Sequence, residues 1–349
     1  MHILYGVVGE GMGHATRSRM ILDHLVERGH DLTIVASQRA FRFLEQRFAD
    51  KPRVQVREIH GLHLKYAQNT LEIGRSVLSN IGEVPAGLAR NIAAYLEVRD
   101  GPRPELVISD FESWAYFYGL NHYLPTISID NMQVINRCTH PPEIVDDPSF
   151  QLAKAAVKVK LPGAWHYLVT SFFHPPIRKD RTTLVPPILR PEILAARREP
   201  GDHVLVYQTA ANEALVPMLT SLPWRFRVYG MGREGEEGNV SFRAFSEAGF
   251  IDDLRRARAV LAGGGFSLMS EAVHLRVPMY SVPIDGQYEQ EINARYLAML
   301  GYGAWAQRFD PDEVAAFLEH AAATTGYRPE SNARTFEALD TLLESAPRG

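Results

Sequence analysis

Ala259-Val260-Leu261-Ala262-Gly263-Gly264-Gly265-Phe266-Ser267 is the stretch whose reading decides the fold. A short apolar run delivers the chain into three glycines, and a helical pattern follows through roughly Leu275, which predicts strand, turn and helix in that order. Without side chains, Gly263, Gly264 and Gly265 let the backbone come close to a ligand. The N–H groups and dipole of a helix start favour an anion such as a diphosphate there. Phe266 lies at that start, and Ser267 reads as the helix N-cap. Glu271, four residues on, shares a helix face with Ser267 and so points at the same ligand. A carboxylate one turn in from a diphosphate suits a ribose diol, because it accepts two hydroxyl hydrogen bonds. Taken alone, the glycines fit a plain turn and a capped helix equally well. The continuation tips the balance: Val277-Pro278-Met279-Tyr280-Ser281-Val282-Pro283 reads as a strand ending at proline, and Asp285, Gly286, Gln287, Glu289, Gln290 and Asn293 then crowd its carboxyl end with groups suited to sugar hydroxyls.

Outward from this segment, the same alternation of apolar runs and amphipathic stretches fills the 349 residues. Strands are expected at 3–8, 32–36, 54–59, 106–109, 126–129 and 167–170, and again at 204–207, 225–229, 240–244, 259–261 and 279–282. Between the first two strands a helix is expected from about Ala15 to Arg28, with Ile21, Leu22, Leu25 and Val26 on one face and Gly29 at its end. Such alternation implies α/β architecture with parallel sheets covered on both faces. Pro175, Pro176, Pro186, Pro187 and Pro191 read as an extended linker between the two series. The expectation is therefore two Rossmann-like domains, 1–186 and 187–330, with a cleft between them, and a final segment, 331–349. Ligands of such sheets bind outside the carboxyl ends of the strands.

Composition narrows the function classes. Hydrophobic residues make up 46% and charged residues 22%, an ordinary globular balance, and the formal net charge of -4 argues against a nucleic-acid binder. The single cysteine, Cys138, allows no internal disulfide and fits a reducing compartment. The start of the chain lacks the basic flank and long apolar core of a signal peptide, and no run of about 18 apolar residues occurs, so the expectation is cytoplasmic.

The stretch 262–294 resembles the inverting GT-B glycosyltransferases, in particular the UDP-glycosyltransferases and the bacterial transferase that adds N-acetylglucosamine to the lipid-linked peptidoglycan precursor. Gly263, Gly265, Glu271, Val277-Pro278, Pro283, Glu289-Gln290 and Asn293-Ala294 match the family pattern in order. The resemblance implies a GT-B fold, a nucleotide-sugar donor of UDP type as cosubstrate with no cofactor, and a last helix that packs back on the first domain. It places Glu271 on the ribose and Glu289-Gln290 on the donor sugar. Upstream, Gly249-Phe250-Ile251-Asp252-Asp253-Leu254 is similar to the peptidoglycan enzyme's segment whose backbone recognises uracil, so Phe250 and Ile251 join the donor-site candidates. Where plant-type members carry a diphosphate-contacting histidine, this chain has Gly263. The loop backbone and Thr209 would do that work instead. Retaining relatives carry a glutamate eight residues before the ribose glutamate; that position is again Gly263, which favours inversion.

The first strand ends in Gly9-Glu10-Gly11-Met12-Gly13-His14. Its G-x-G-x-G spacing is not the dinucleotide fingerprint, and no acid closes the second strand, where Ser37-Gln38-Arg39 stand. Arg39 suits a 2′-phosphate, which keeps an NADP oxidoreductase among the alternatives. His14 lies where the helix begins, and the helix dipole there favours the neutral ring, which serves as a general base. Related transferases place a histidine at this motif, so the resemblance makes His14 the base that takes the acceptor hydroxyl's proton. Asp110, after the strand at 106–109, stands at the same carboxyl edge and reads as the carboxylate that orients His14. An N-cap role for the following helix is the competing reading of Asp110, and loop packing that of His14. Gly11, Gly13 and Arg17 are placed near acceptor or phosphate, and Asn131 near the acceptor.

Other signals are discounted. Asp310-Pro311-Asp312 reads as a helix cap rather than a metal motif, and His60 with His63 lacks a third ligand, so no metal is expected. Lys154, Lys158 and Lys160 read as a solvated helix face, with contact to the inner face of an anionic membrane as the sharper alternative. The expected function is inverting, metal-independent transfer of a sugar from a nucleotide-diphosphate sugar to a hydroxyl of a small-molecule or lipid acceptor. The alternatives are a non-hydrolysing nucleotide-sugar epimerase of the same fold and a catalytically silent nucleotide-sugar-binding protein.

Overall fold

The computed structural model describes residues 1–9, 12–61, 66–67, 70–71, 73–208 and 212–347, with side chains described outside 62–85. Gly11 and Thr209, both named above, lie outside the described residues, as does His63.

The chain folds around two seven-stranded sheets. The first contains β1 (His2–Val7), β2 (Asp31–Ala36), β3 (Val54–Glu58), β6 (Leu106–Asp110), β7 (Thr126–Asp130), β8 (His166–Thr170) and β9 (Thr182–Val185), in the order β3-β2-β1-β6-β7-β8-β9 and parallel throughout. A two-stranded ribbon, β4 (Tyr66–Ala67) with β5 (Thr70–Leu71), and a long helix, Ile73–Asp100, connect β3 to β6. That crossover carries the chain to the other side of β1, so the strand order switches between β1 and β6. The second sheet contains β10 (His203–Tyr207), β11 (Arg225–Tyr229), β12 (Gly235–Glu237), β13 (Val240–Arg243), β14 (Ala259–Ala262), β15 (Met279–Ser281) and β16 (Gly303–Trp305). Its order is β12-β13-β11-β10-β14-β15-β16, with only β12 antiparallel, and its switch falls between β10 and β14. Switch points at the carboxyl ends of strands are where such sheets open a crevice for ligands.

Apolar alternation explains the cores. In the first domain Ile3, Tyr5 and Val7 of β1 pack with Ile21, Leu22 and Leu25 of the Met12–Glu27 helix. In the second, Val204, Val206 and Leu261 pack with Val314 and Leu318 of the Pro311–His320 helix. A third cluster is continuous across both domains: Phe172 stacks on Phe266 at 6.0 Å, and Phe173 on Tyr296 at 3.9 Å.

The structure departs from the sequence reading in several elements. The Pro175–Pro191 stretch is not all linker, because β9 lies inside it and pairs with β8 as the sheet edge, where neighbouring prolines cost no ladder bond. β12 and β16, three residues each, were not expected; such short strands carry too little alternation to read. The Ile73–Asp100 helix was likewise not expected. The first helix starts at Met12 rather than near Ala15, which places His14 inside its first turn.

The final helix, Ala333–Ser345, leaves the second domain and covers β8 and β9 of the first. Leu339 and Leu343 enter the first core, His24 stacks on Phe336 at 4.4 Å and bonds Asp340 at 2.9 Å, and Asn332 bonds both the N–H and the carbonyl of Leu189. Among the described residues no helix is long and apolar enough to cross a membrane.

Candidate active site in the interdomain cleft

At the first switch point the last residue of β6, Asp110, sits in register beside Val7 of β1. β1 feeds the Met12–Glu27 helix, whose first turn brings His14 over Asp110, with Nδ1 2.8 Å from Oδ1. Asp110 is fully buried and His14 is 21% exposed. One and a little more than one turn further, Arg17 and Ser18 face the same carboxylate: Arg17 Nε donates to Oδ2 at 3.2 Å, Arg17 Nη2 to Oδ1, and Ser18 Oγ to Oδ2 at 2.8 Å. Burial alone would raise the Asp110 carboxyl, but Arg17 and then His14 outweigh it and hold it down to about 2. An ionised carboxylate only accepts, so the ring's N–H is assigned to Nδ1 and its lone pair to Nε2. Among the described residues Nε2 has no hydrogen-bond partner. Arg17 Nη2 also lies 2.9 Å from Nδ1; with Nδ1 protonated toward Asp110, the bonds of that guanidinium go to the carboxylate. Phe111, next in the chain, takes φ 54°, a left-handed turn rare for a bulky residue, directly after Asp110. The helix that follows is capped by Glu112, whose carboxylate accepts from the N–H of Trp114 at 2.9 Å and of Ala115 at 2.7 Å. The competing N-cap reading of Asp110 therefore falls, and the carboxylate is free for His14.

The opposing wall comes from the second domain. β14 ends in the glycine loop, and the Phe266–His274 helix starts there with Gly265 at the N-cap and no side-chain cap. This corrects the reading of Ser267 as N-cap; Ser267 stands in the first turn, and the uncapped turn leaves its N–H groups for a ligand. The three glycines are not equivalent. A Cβ on Gly264 would lie 2.1 Å from the Gln290 carbonyl oxygen, whereas a Cβ on Gly265 would meet nothing within 4 Å. Gln290 ties the loop shut: its Oε1 accepts from the N–H of Gly264 at 3.0 Å and of Ile284 at 3.1 Å, and its Nε2 donates to Gln287. Phe266 turns its ring into the interdomain core. Phe250 and Ile251 are buried in the Glu247–Arg256 helix. The Phe250 N–H is taken by the Ser246 carbonyl at 2.8 Å, and its ring packs against Tyr207, Tyr229 and Phe245, so its contribution is the shape of the wall.

The two walls touch. A Cβ on Gly13 would lie 2.5 Å from Ser267 Oγ, so glycine there lets the two helix starts abut. Asn131, just past β7, joins the domains: Arg17 Nη1 donates to its Oδ1 at 3.3 Å, and its Nδ2 donates to Glu289 at 2.5 Å. Asn293 bonds the same Glu289 oxygen at 2.6 Å. Burial raises the Glu289 carboxyl, against the pull of those two amides. Sequence position thus singled out His14, Asp110, Arg17, Asn131 and Glu289 separately, and the structure brings them into one connected network.

Sequence reasoning missed Ser18 and, in the second wall, Arg190. It sits just before the linker helix Pro191–Ala195 and clasps Glu271 with Nε at 2.8 Å and Nη2 at 2.7 Å. Its Nη1 reaches Glu247 at 3.1 Å, in the first turn of the helix that carries Phe250. One linker guanidinium therefore ties the Glu247–Arg256 and Phe266–His274 helices together. Burial raises the Glu271 carboxyl, with Arg190 opposing. Each carboxylate oxygen still has acceptor capacity after a bidentate contact. No local spacing could have revealed a partner 81 residues away.

Elsewhere, Asp310 Oδ1 accepts from the N–H of Asp312 at 3.0 Å and of Glu313 at 3.2 Å, which makes it a helix cap. Lys154 and Lys160 lie over the rings of Phe150 and Phe111 at 5.4 and 4.2 Å. Among the described residues no group of three histidine, cysteine or acidic side chains is placed to hold a metal ion.

The sequence profile described as glycosyl transferase family 1 matches residues 1–321. Two uncharacterized glycosyltransferases share short stretches. One, from Methanosarcina mazei, is 41% identical over 61 residues, which are 18% of this chain and 16% of that protein. The other, from Methanosarcina acetivorans, is 38% identical over 69 residues, 19% and 18% of the two chains. The chain thus spans less than a fifth of the length of either relative in these matches. Among solved structures, the glycotransferase of kitacinnamycin and CalG4, the calicheamicin glycosyltransferase, each superpose with a TM-score of 0.66 over 99% of both chains, at 19% and 18% identity. Arabidopsis thaliana UGT89C1 complexed with UDP gives 0.61 at 13% identity over 98% of each chain. At such identities the likeness establishes the fold, which is GT-B.

Proposed function

Because this chain belongs to glycosyl transferase family 1, we propose that it transfers a sugar from a UDP-sugar to the hydroxyl of a small-molecule acceptor, with inversion and without help from a metal ion. The observation that carries this reading is the pair of His14 Nδ1 and buried Asp110, 2.8 Å apart, with Nε2 left as a base in the cleft. Inversion needs one displacement. The acceptor oxygen forms a bond to the anomeric carbon as the bond to the diphosphate oxygen breaks, and the acceptor proton passes to Nε2. The electron pair leaves with UDP. Charge gathering on the diphosphate is met by the uncapped start of the Phe266–His274 helix, which faces the cleft across from Gly13. Glu271 accepts the ribose hydroxyls, and Glu289 those of the sugar. Support for the donor and acceptor classes comes from fold relatives: UGT89C1 has been solved with UDP and with quercetin.

Two measurements test this. UDP-sugars should raise the melting temperature in a screen against TDP- and GDP-sugars, since a ligand of the native state stabilises it. His14→Ala should then retain donor binding while transfer to a hydroxylated acceptor falls at least about a hundredfold. Transfer at the unaltered rate in that variant would remove His14 as the base.

A further inference from the structure

A cavity of about 240 Å³ opens at the carboxyl ends of β2 and β3, outside the His14–Asp110 pair. Its wall includes Ser37, Gln38, Arg39, Arg42, Glu58 and Arg90. In a chain of net charge -4, three guanidinium groups around one cavity run against the overall balance. Arg90 is paired with Glu58 at 3.6 Å. Arg39 and Arg42 lie three residues apart in the first turns of the Gln38–Phe48 helix, and among the described residues neither has an ion-pair or hydrogen-bond partner. Glu58 is thus one carboxylate set against three arginines.

The cavity is built rather than incidental. Ser37 begins the helix and is 2% exposed, yet its side chain makes no capping bond. Its hydroxyl is lodged between two backbones: a Cβ on Gly9 would come within 2.1 Å of Ser37 Oγ, and one on Gly61 within 2.2 Å. Glycine after β1 and after β3 is what admits a polar oxygen at the floor. Gln38 holds φ 55°, a left-handed conformation costing on the order of 1 kcal/mol that other contacts must sustain. The uncapped helix start adds its own positive potential.

Placement identifies which substrate would bring the charge. Gly9, which packs on Ser37, lies five residues before His14 in the chain. The donor diphosphate already has its own cradle at the Phe266–His274 helix. We propose that this cavity binds an oxyanion, a carboxylate or phosphate ester, on the acceptor, so that the enzyme glycosylates anionic hydroxylated small molecules. The proposal rests on the transferase reading above. Ser37, Arg39, Arg42 and the helix start then anchor the acceptor's anion while its hydroxyl lies at His14 Nε2.

The test uses the full chain saturated with UDP, so that the donor site is filled, and calorimetric titration with three probes: 4-hydroxybenzoate, its methyl ester and inorganic phosphate. The acid should bind at least about tenfold more tightly than the ester, as a charge-assisted contact to arginine requires. Phosphate should compete with the acid. In Arg39→Gln/Arg42→Gln the preference for acid should vanish, and Arg39→Lys/Arg42→Lys should retain part of it. Both arginines are exposed, so melting temperatures of these variants should match the parent. Equal binding of acid and ester overturns the proposal, as does an undiminished preference in the double glutamine variant. Phosphate binding without any preference for the acid overturns the assignment to the acceptor. Absence of UDP binding would instead overturn the proposed function, and the acid–ester comparison on the free chain would still read the cavity.

Discussion

Asp110 does two jobs with one carboxylate, and both depend on the charge it keeps while fully buried. Its folded value of about 2 lies below the ordinary 3.8, because Arg17 and His14 outweigh the burial penalty. A depressed acid stabilises the fold above its ordinary value and stops doing so as pH falls through the folded one. The contribution is therefore complete above about pH 4, is lost between about 4 and 2, and is on the order of 2 kcal/mol. Asp110→Asn should remove that slope. At neutral pH it should also cost about 3 kcal/mol or more, since buried Arg17 loses its counter-charge. Urea denaturation at pH 7 and at pH 3 reads both effects; coincident midpoints for parent and variant would contradict them. Arg190 is the second residue with consequences beyond its own contact. On the proposed reading it sets the Glu271 carboxylate for the ribose, so Arg190→Met should weaken UDP binding about tenfold, the loss of one charge-assisted contact. The penalty should shrink for 2′-deoxy-UDP, which makes fewer demands on Glu271. Equal penalties for both nucleotides would reduce Arg190 to a structural clasp.

At the scale of elements, the glycine loop after β14 was the most legible feature of the chain, and its internal division of labour was the least. Three consecutive glycines announce a close approach, but not of what to what. The structure assigns Gly264 to the backbone of the Tyr288–Met299 helix and leaves Gly265 facing open space. Gly264→Ala should accordingly lower the melting temperature by several degrees and weaken UDP binding, because the added carbon collides with a carbonyl oxygen that cannot rotate away. Gly265→Ala should leave the melting temperature within about a degree, its φ of -62° being open to alanine. Thermal unfolding of the two variants side by side decides the matter; equal losses would mean the loop fails as a unit. Strands with four or more apolar residues were readable by pattern. β9, β12 and β16 were not, since edge strands of three or four residues take their conformation from the neighbour they pair with.

For the whole molecule, the decisive element is the last one. The Ala333–Ser345 helix follows the second domain in sequence yet completes the core of the first, where Leu339 and Leu343 are buried. Removing two such leucines costs about 3–6 kcal/mol by burial alone, a large share of a domain's entire stability. A chain ending at Glu330 should therefore lose cooperative unfolding of the first domain or fail to stay in solution, while its second domain keeps its core. A melting curve identical to that of the full chain would show that the helix is dispensable. The same helix carries the chain back from the second domain to the first, where Phe336 and Leu342 also pack against the core.

Hydrophobic period and glycine spacing in the sequence determined the two parallel-sheet domains, the strand-end positions of the candidate residues, and the close-approach glycine loop after β14, because these follow from local chain geometry. The tertiary structure alone decided that Asp110 serves His14 instead of capping a helix, that Arg190 holds Glu271, and that Ser37, Arg39 and Arg42 ring a cavity. Those are contacts between side chains brought together by sheet order and domain packing, where separation along the chain carries no information about distance in space.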